Sequence, residues 1–184
     1  LHLKDPIGGH FDYGRQGTST THILSKMLNK LEESYHVFLT PTGFGSVFLA
    51  MFSVVRPGDE ILVSDPVYSP TRILTQDFFK DFNIKAIFYN PRDLSTLKNN
   101  ITKKTKLIFV ENPGSNTFEF QDLSKIISIA KKNKIFTAID NTWGTPYFLK
   151  PIKLGFDMAI VSATKYYSGH SDVMGGSLAV NKRV

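Results

Sequence analysis

No cysteine occurs among the 184 residues. That excludes disulfides and thiolate-ligated metal centres, and it fits a cytoplasmic chain. No apolar stretch approaches the roughly 20 residues of a membrane span, and the first residues lack the pattern of a secretory signal. Neither G-x-G-x-x-G nor G-x-x-x-x-G-K-[ST] is present, which disfavours a dinucleotide-binding fold or a P-loop nucleotidase. Internal repeats, low-complexity tracts and interdomain linkers are also missing. The chain is expected to be a cytoplasmic protein with no metal site and no membrane partner.

What is there is ordinary for a globular protein: 41% hydrophobic and 21% charged residues, on a chain long enough for one domain with a proper core. The net charge of +6 is scattered. Its densest cluster, Lys131-Lys132-Asn133-Lys134, falls at the expected end of a helix, where cations face the negative end of the dipole. It reads as a solvated terminus, and no nucleic-acid partner is expected.

Residues 1–20 show little periodicity and read as an arm. Residues 22–34 carry apolar positions at helical spacing, with Thr20 or Thr21 as a cap. Beyond them, a short buried stretch at Val37-Phe38-Leu39 leads through Thr42-Gly43-Phe44-Gly45-Ser46 into an apolar helix over 45–55. Strands are expected at 60–64, 84–89, 106–111, 134–139, 157–161 and 176–180. Helices are expected at 70–80, 93–99 and 122–132, the last with Leu123, Ile126, Ile127 and Ala130 on one face. Strands alternate with helices and their apolar residues come in runs. The expected fold is α/β: a mostly parallel sheet with helices on both faces.

In such a sheet the C-terminal strand ends lie side by side, so distant residues converge there. Lys165 follows the run Asp157-Met158-Ala159-Ile160-Val161 and has the setting of a lysine that forms a Schiff base. The amides of Gly43 and Phe44 open a helix and could bind phosphate; a plain glycine turn explains them equally well. Asp140 could keep a ring nitrogen protonated, or simply cap the next loop. Tyr68 could stack on a flat cofactor, or be a half-buried loop residue. Ser162 and Thr164 could donate to phosphate, or satisfy the local backbone. Tyr13 and Arg15 lie on the arm, and the planar fork of Arg15 suits phosphate. Together these groups are what pyridoxal phosphate requires.

The words Tyr13-Gly14-Arg15-Gln16-Gly17-Thr18, Glu111-Asn112-Pro113-Gly114-Ser115, Asp140-Asn141-Thr142-Trp143 and Ala163-Thr164-Lys165-Tyr166, with Gly169-His170-Ser171-Asp172, resemble the fold-type I pyridoxal-phosphate enzymes of cysteine and methionine metabolism. Within them the likeness is to the cystathionine β-lyase branch. The resemblance implies that Lys165 carries the cofactor and moves the α-proton, and that Asp140 pairs with the ring nitrogen. It implies that Tyr68 stacks on the ring and helps deprotonate the incoming amine. Gly43, Phe44, Ser162 and Thr164 would hold the phosphate, and Tyr13 and Arg15 would reach the phosphate of a neighbouring subunit in a homodimer or homotetramer. The implied substrate is cystathionine, cleaved by β-elimination to homocysteine, pyruvate and ammonia. A γ-lyase, γ-synthase or methionine γ-lyase on the same scaffold, or an inactive fragment, is the alternative. Ser115 departs from the wider family, which has Asn there to contact the cofactor's phenolic oxygen. Residues 21–184 are expected to be a cofactor-binding domain whose C-terminal partner domain is absent.

Overall fold

A computed structural model describes residues 13–184; the first twelve residues of the expected arm lie outside the described range. A short 3-10 turn over Gly14–Gln16 precedes α1, Ser19–Glu32. The cap of α1 is Thr18, not Thr20 or Thr21: its hydroxyl accepts from the Thr21 amide at 3.2 Å while Thr21 reaches back to the Thr18 amide at 2.9 Å. This reciprocal pair is a capping box built from two threonines.

The remaining elements follow in order: β1 (His36–Thr40), α2 (Gly43–Val54), β2 (Glu60–Ser64), α3 (Ser69–Ile73), a π-helical turn (Leu74–Phe78), α4 (Phe79–Asp81), β3 (Lys85–Tyr89) and α5 (Leu94–Asn99). Then come β4 (Thr105–Glu111), α6 (Leu123–Lys132), β5 (Phe136–Asp140), α7 (Thr145–Phe148), α8 (Pro151–Leu154), β6 (Met158–Val161) and β7 (Gly176–Val180). The expected helix over 70–80 is thus split by a π turn. Thr75, buried in its middle, donates its hydroxyl to the carbonyls of Thr71 and Arg72, and a hydroxyl inserted into the ladder loosens it. The strand expected at 134–139 is β5, displaced two residues at its start because Lys134 turns the chain at φ 59°. The short helices α7 and α8 fall in a stretch that shows no helical periodicity.

All seven strands form one sheet in the order β1-β7-β6-β5-β4-β2-β3. β2 to β6 pair in parallel, and β7 runs antiparallel between β1 and β6. Successive strand residues enter opposite cores, as the period of two requires. Ile61, Val63 and Phe109 pack with Val47 and Met51 of α2 on one face. Leu62, Ile108 and Val110 pack with Leu28 of α1, Leu97 of α5 and Ile126 of α6 on the other. Helices therefore cover both faces. Among the described residues no helix is long and apolar enough to cross a membrane.

Candidate functional site

Because β1 and β6 are both antiparallel to β7, they point the same way, and the C-terminal ends of β1, β2, β4, β5 and β6 share one edge of the sheet. Their last residues are Thr40, Ser64, Glu111, Asp140 and Val161. Residues at those exits form the candidate site.

At the β1 exit, Thr42 caps α2 by accepting from the Gly45 amide at 2.9 Å. The amides of Gly43 and Phe44, first in the helix, have no acceptor among the described residues. Two free donors at a helix N-terminus suit an anion. A Cβ on Gly43 would stand 2.5 Å from the Ser162 Cβ and 2.6 Å from its hydroxyl oxygen. Glycine is required there because the start of α2 lies directly against the exit of β6.

The exits of β5 and β6 are tied together by Thr142. Its amide donates to Asp140 Oδ1 at 2.9 Å, and its hydroxyl accepts from the Ser162 amide at 2.8 Å. Burial pushes the Asp140 carboxyl up, and the bonds from Thr142 pull it back. Past Ser162 the chain turns, the Lys165 amide donating to the Ser162 carbonyl at 3.0 Å. The Lys165 side chain is exposed, and among the described residues nothing holds its ammonium by a hydrogen bond or ion pair.

On the other side of Asp140 stands Glu111, its partner in the parallel register of β4 and β5. Glu111 Oε2 accepts from the Tyr68 amide at 2.7 Å, and Ser115, on the β4 exit loop, donates its own amide to the Pro66 carbonyl at 2.7 Å. Tyr68 is thereby fixed beside β4, with half of its surface exposed. Burial first, then the neighbouring Asp140 charge, raises the Glu111 carboxyl to about 8.

The sheet edge thus gathers Gly43, Phe44, Tyr68, Asp140, Ser162 and Lys165. Thr164 is there too, but its hydroxyl donates to the Gly175 carbonyl at 3.2 Å and accepts from the Gly175 amide at 3.1 Å. It would have to release that carbonyl to donate to a ligand. Tyr13 and Arg15 are exposed. They meet each other, the guanidinium 5.3 Å from the ring centre, and no hydrogen bond or ion pair ties them to the edge. Sequence reasoning gave no separate role to Glu111 or Thr142. Their parts depend on strand register, which one sequence does not display.

Two surface clefts of about 360 and 340 Å³ lie around Phe52 and Phe82 and around Thr75 and Phe88. None of the site residues lines either one. The donor set marks the site better than concavity does. Free amides at the α2 cradle, a carboxylate at the centre and an unpaired amine four residues beyond β6 fit a phosphorylated, ring-nitrogen cofactor that reacts with amines. No cluster of His, Asp and Glu suited to a metal ion occurs among the described residues.

Comparison with known proteins agrees with this geometry. Residues 4–184 match the family described as Cys/Met metabolism PLP-dependent enzyme. A Rhizobium johnstonii protein assigned as a cystathionine β-lyase is 37% identical over 171 residues, which cover 93% of this chain and 43% of that one. The L-alanine/L-glutamate racemase of Wolbachia pipientis is 33% identical, covering 96% of this chain and 43% of its own. A crystal structure from Campylobacter jejuni, assigned as an O-acetylhomoserine (thiol)-lyase, superposes with a TM-score of 0.88 at 33% identity. The match covers 92% of this chain and 42% of that one, and that structure carries a pyridoxyl-lysine phosphate. The chain spans less than half the length of these three relatives.

Proposed function

Since the chain belongs to the Cys/Met metabolism PLP-dependent enzyme family, we propose that it forms the cofactor-binding part of a carbon–sulfur lyase that cleaves cystathionine by β-elimination. The observation that carries the reading is the pair of unpartnered Gly43 and Phe44 amides against Ser162, with Lys165 three residues further on. In this reading residues 1–20 are an arm, residues 21–184 the pyridoxal-phosphate-binding domain, and the protein a cytoplasmic homodimer or homotetramer.

Bound pyridoxal phosphate supplies a sink for the electrons released at the substrate's α-carbon. The chain's own groups do the rest. The Gly43 and Phe44 amides and the Ser162 hydroxyl grip the phosphate, joined by Thr164 once it lets go of Gly175. The Asp140 carboxylate keeps the proton on the ring nitrogen. Tyr68 would stack on the ring and assist deprotonation of the incoming amine. Lys165 Nζ would hold the cofactor at rest and, once the substrate's amine has displaced it, would be free to take the α-proton; a free amine so placed is a competent base. Tyr13 and Arg15, which do not reach this edge within the chain, serve the phosphate of a neighbouring subunit. Expulsion of the β-thiolate, which takes up a proton, would yield homocysteine, and addition of one water would release the remainder as pyruvate and ammonia.

The test begins with the absorption spectrum of the protein plus pyridoxal phosphate, before and after borohydride. Peptide mapping of the reduced adduct follows, beside Lys165→Ala. A band lost on reduction with the label on Lys165 is expected; a folded chain with no band, or a label spread over many lysines, refutes the cofactor site and leaves an inactive fragment. Product analysis with cystathionine then decides the chemistry. Pyruvate supports β-elimination. 2-Oxobutyrate assigns the site to a γ-lyase instead, and D-amino acid from alanine or glutamate assigns it to a racemase.

A further inference from the structure

The proposed function gives no work to Glu111, yet this is the least ordinary carboxyl group at the sheet edge. It ends β4 directly beside Asp140, which ends β5. In a parallel pair, residues in register point to the same face, so two carboxyl groups stand together at the mouth of the sheet. Charging both there is costly, since neither has a cation among the described residues to offset it and both are partly buried. Around Glu111 the groups that face it are the Asp140 carboxylate from β5, the Tyr68 amide from the β2 exit and the Ser115 hydroxyl from its own exit loop. Ser64, at the end of β2, accepts from the Glu111 amide at 3.2 Å. None of these is positive.

The two acids are not held alike. Asp140 accepts from Thr142, whose hydroxyl is in turn engaged by the Ser162 amide. Those bonds favour its charged form, and an aspartate is intrinsically the stronger acid. Glu111 is fixed from behind: Gln121 donates its side-chain amide to the Glu111 carbonyl at 3.0 Å and accepts from the buried Tyr89 hydroxyl at 2.8 Å. The Gln121 backbone amide donates to Asn112 Oδ1 at 2.7 Å. The end of β4 is therefore rigid, and the bond from the Tyr68 amide to Glu111 Oε2 transfers that rigidity to the Tyr68 segment.

We propose that Glu111 is a positioning residue that acts in two ways: it holds the single proton of the Glu111–Asp140 pair, so that Asp140 alone is charged, and it anchors the backbone of Tyr68. The second part rests on the reading of this edge as a cofactor pocket; the first does not. A neutral carboxyl group can do both at once, because its carbonyl oxygen accepts from the Tyr68 amide while the other oxygen keeps the proton. Burial and the Asp140 charge both hold that proton on through neutral pH, in agreement with a Glu111 carboxyl raised to about 8.

The proton is tested without cofactor. Carbon-13 carboxyl NMR of the glutamate-labelled protein, titrated from pH 4 to 10, is expected to show, besides Glu32 near 7, a resonance with a midpoint near 8 that vanishes in Glu111→Gln. In Asp140→Asn the same resonance should titrate at lower pH, because the neighbouring charge is gone. A Glu111 resonance that titrates in the ordinary carboxylate range, or one that Asp140→Asn leaves unmoved, overturns the shared proton. The anchor is tested with Glu111→Gln, which keeps an acceptor for the Tyr68 amide, and Glu111→Leu, which does not. Exchange of the Tyr68 amide should quicken at least tenfold in the leucine variant alone, and affinity for added pyridoxal phosphate should fall about tenfold in that variant alone. Equal losses in both variants, or none in either, overturn the anchor. If wild type itself binds no pyridoxal phosphate the cofactor reading fails, while the NMR titration and the exchange rates still decide the proton and the backbone bond.

Discussion

Replacing Glu32 with glutamine should stabilise the protein, by an amount that grows from about pH 4.5 and levels off above pH 7. Glu32 is the last residue of α1 and is 0% exposed. Its Oε1 accepts from the Tyr167 hydroxyl at 2.8 Å, while Oε2 has no partner among the described residues. Burial raises its carboxyl from the ordinary 4.5 to about 7, against the opposing effects of the Tyr167 bond and the Lys150 charge. Below pH 4.5 both folded and unfolded chains keep this proton, and the group is neutral in the balance. Between pH 4.5 and 7 the unfolded chain has lost it and the folded chain has not. Unfolding then releases a proton, and rising pH favours the unfolded state. At about 1.4 kcal/mol for each tenfold change in proton affinity, the cost to wild type levels off at about 3 kcal/mol above pH 7. The glutamine side chain of Glu32→Gln would keep an acceptor for Tyr167 and never ionise. Urea unfolding of both proteins followed by circular dichroism, at pH 4.5 and pH 8.5, should therefore show near-equal stability at the lower pH. At the higher pH the variant should lead by about 3 kcal/mol. A stability difference that is the same at both values, or larger at pH 4.5, would refute the reasoning.

Two further substitutions probe the fold at either end of the sheet. Gly43→Ala places a methyl group 2.5 Å from the Ser162 Cβ and should destabilise by about 1–3 kcal/mol; pyridoxal phosphate affinity, read by fluorescence titration, should drop with it. At the opposite edge, Asp157 is 4% exposed and accepts from the Thr137 amide and hydroxyl, from Asn181 and from Arg183. Asp157→Ala removes the acceptor these donors share and should cost about 3 kcal/mol in urea unfolding, with cofactor binding unchanged in the fraction that folds.

Much of this architecture was legible because its strands are buried on both faces. The runs at 60–64, 106–111 and 157–161 leave few other readings, and the α6 stripe of Leu123, Ile126, Ile127 and Ala130 announces its helix. Boundaries were harder. Thr18 shares its cap with Thr21 across an interval of threonines and a serine, each a competent cap, and Thr75 opens the helix over 69–81 through a bond that no periodicity reveals. The direction of β7 was hidden for another reason: a five-residue buried strand looks the same read either way. At the site, Lys165, Asp140 and the Gly43 turn stood out by type and spacing. Glu111 did not, because its significance lies in facing Asp140 across two strands, and that facing follows from register alone.

The antiparallel β7 has a consequence for the order in which the protein is made. β1 is synthesised early, yet its ladder partner is β7, and the pairing of His36 with Val180 joins positions more than 140 residues apart. Parallel neighbours β2, β4, β5 and β6 can assemble as each emerges. Among the described strands β1 must wait for β7 to emerge before its ladder can form, a long-range closure of the kind that slows folding and exposes a chain to misassociation. The start of α2 is stitched to that same late strand: a Cβ on Gly176 would run into Thr40, Thr42 and Ser46. On a ribosome, the corner that holds the Gly43 and Phe44 amides therefore takes shape only after β7 has emerged.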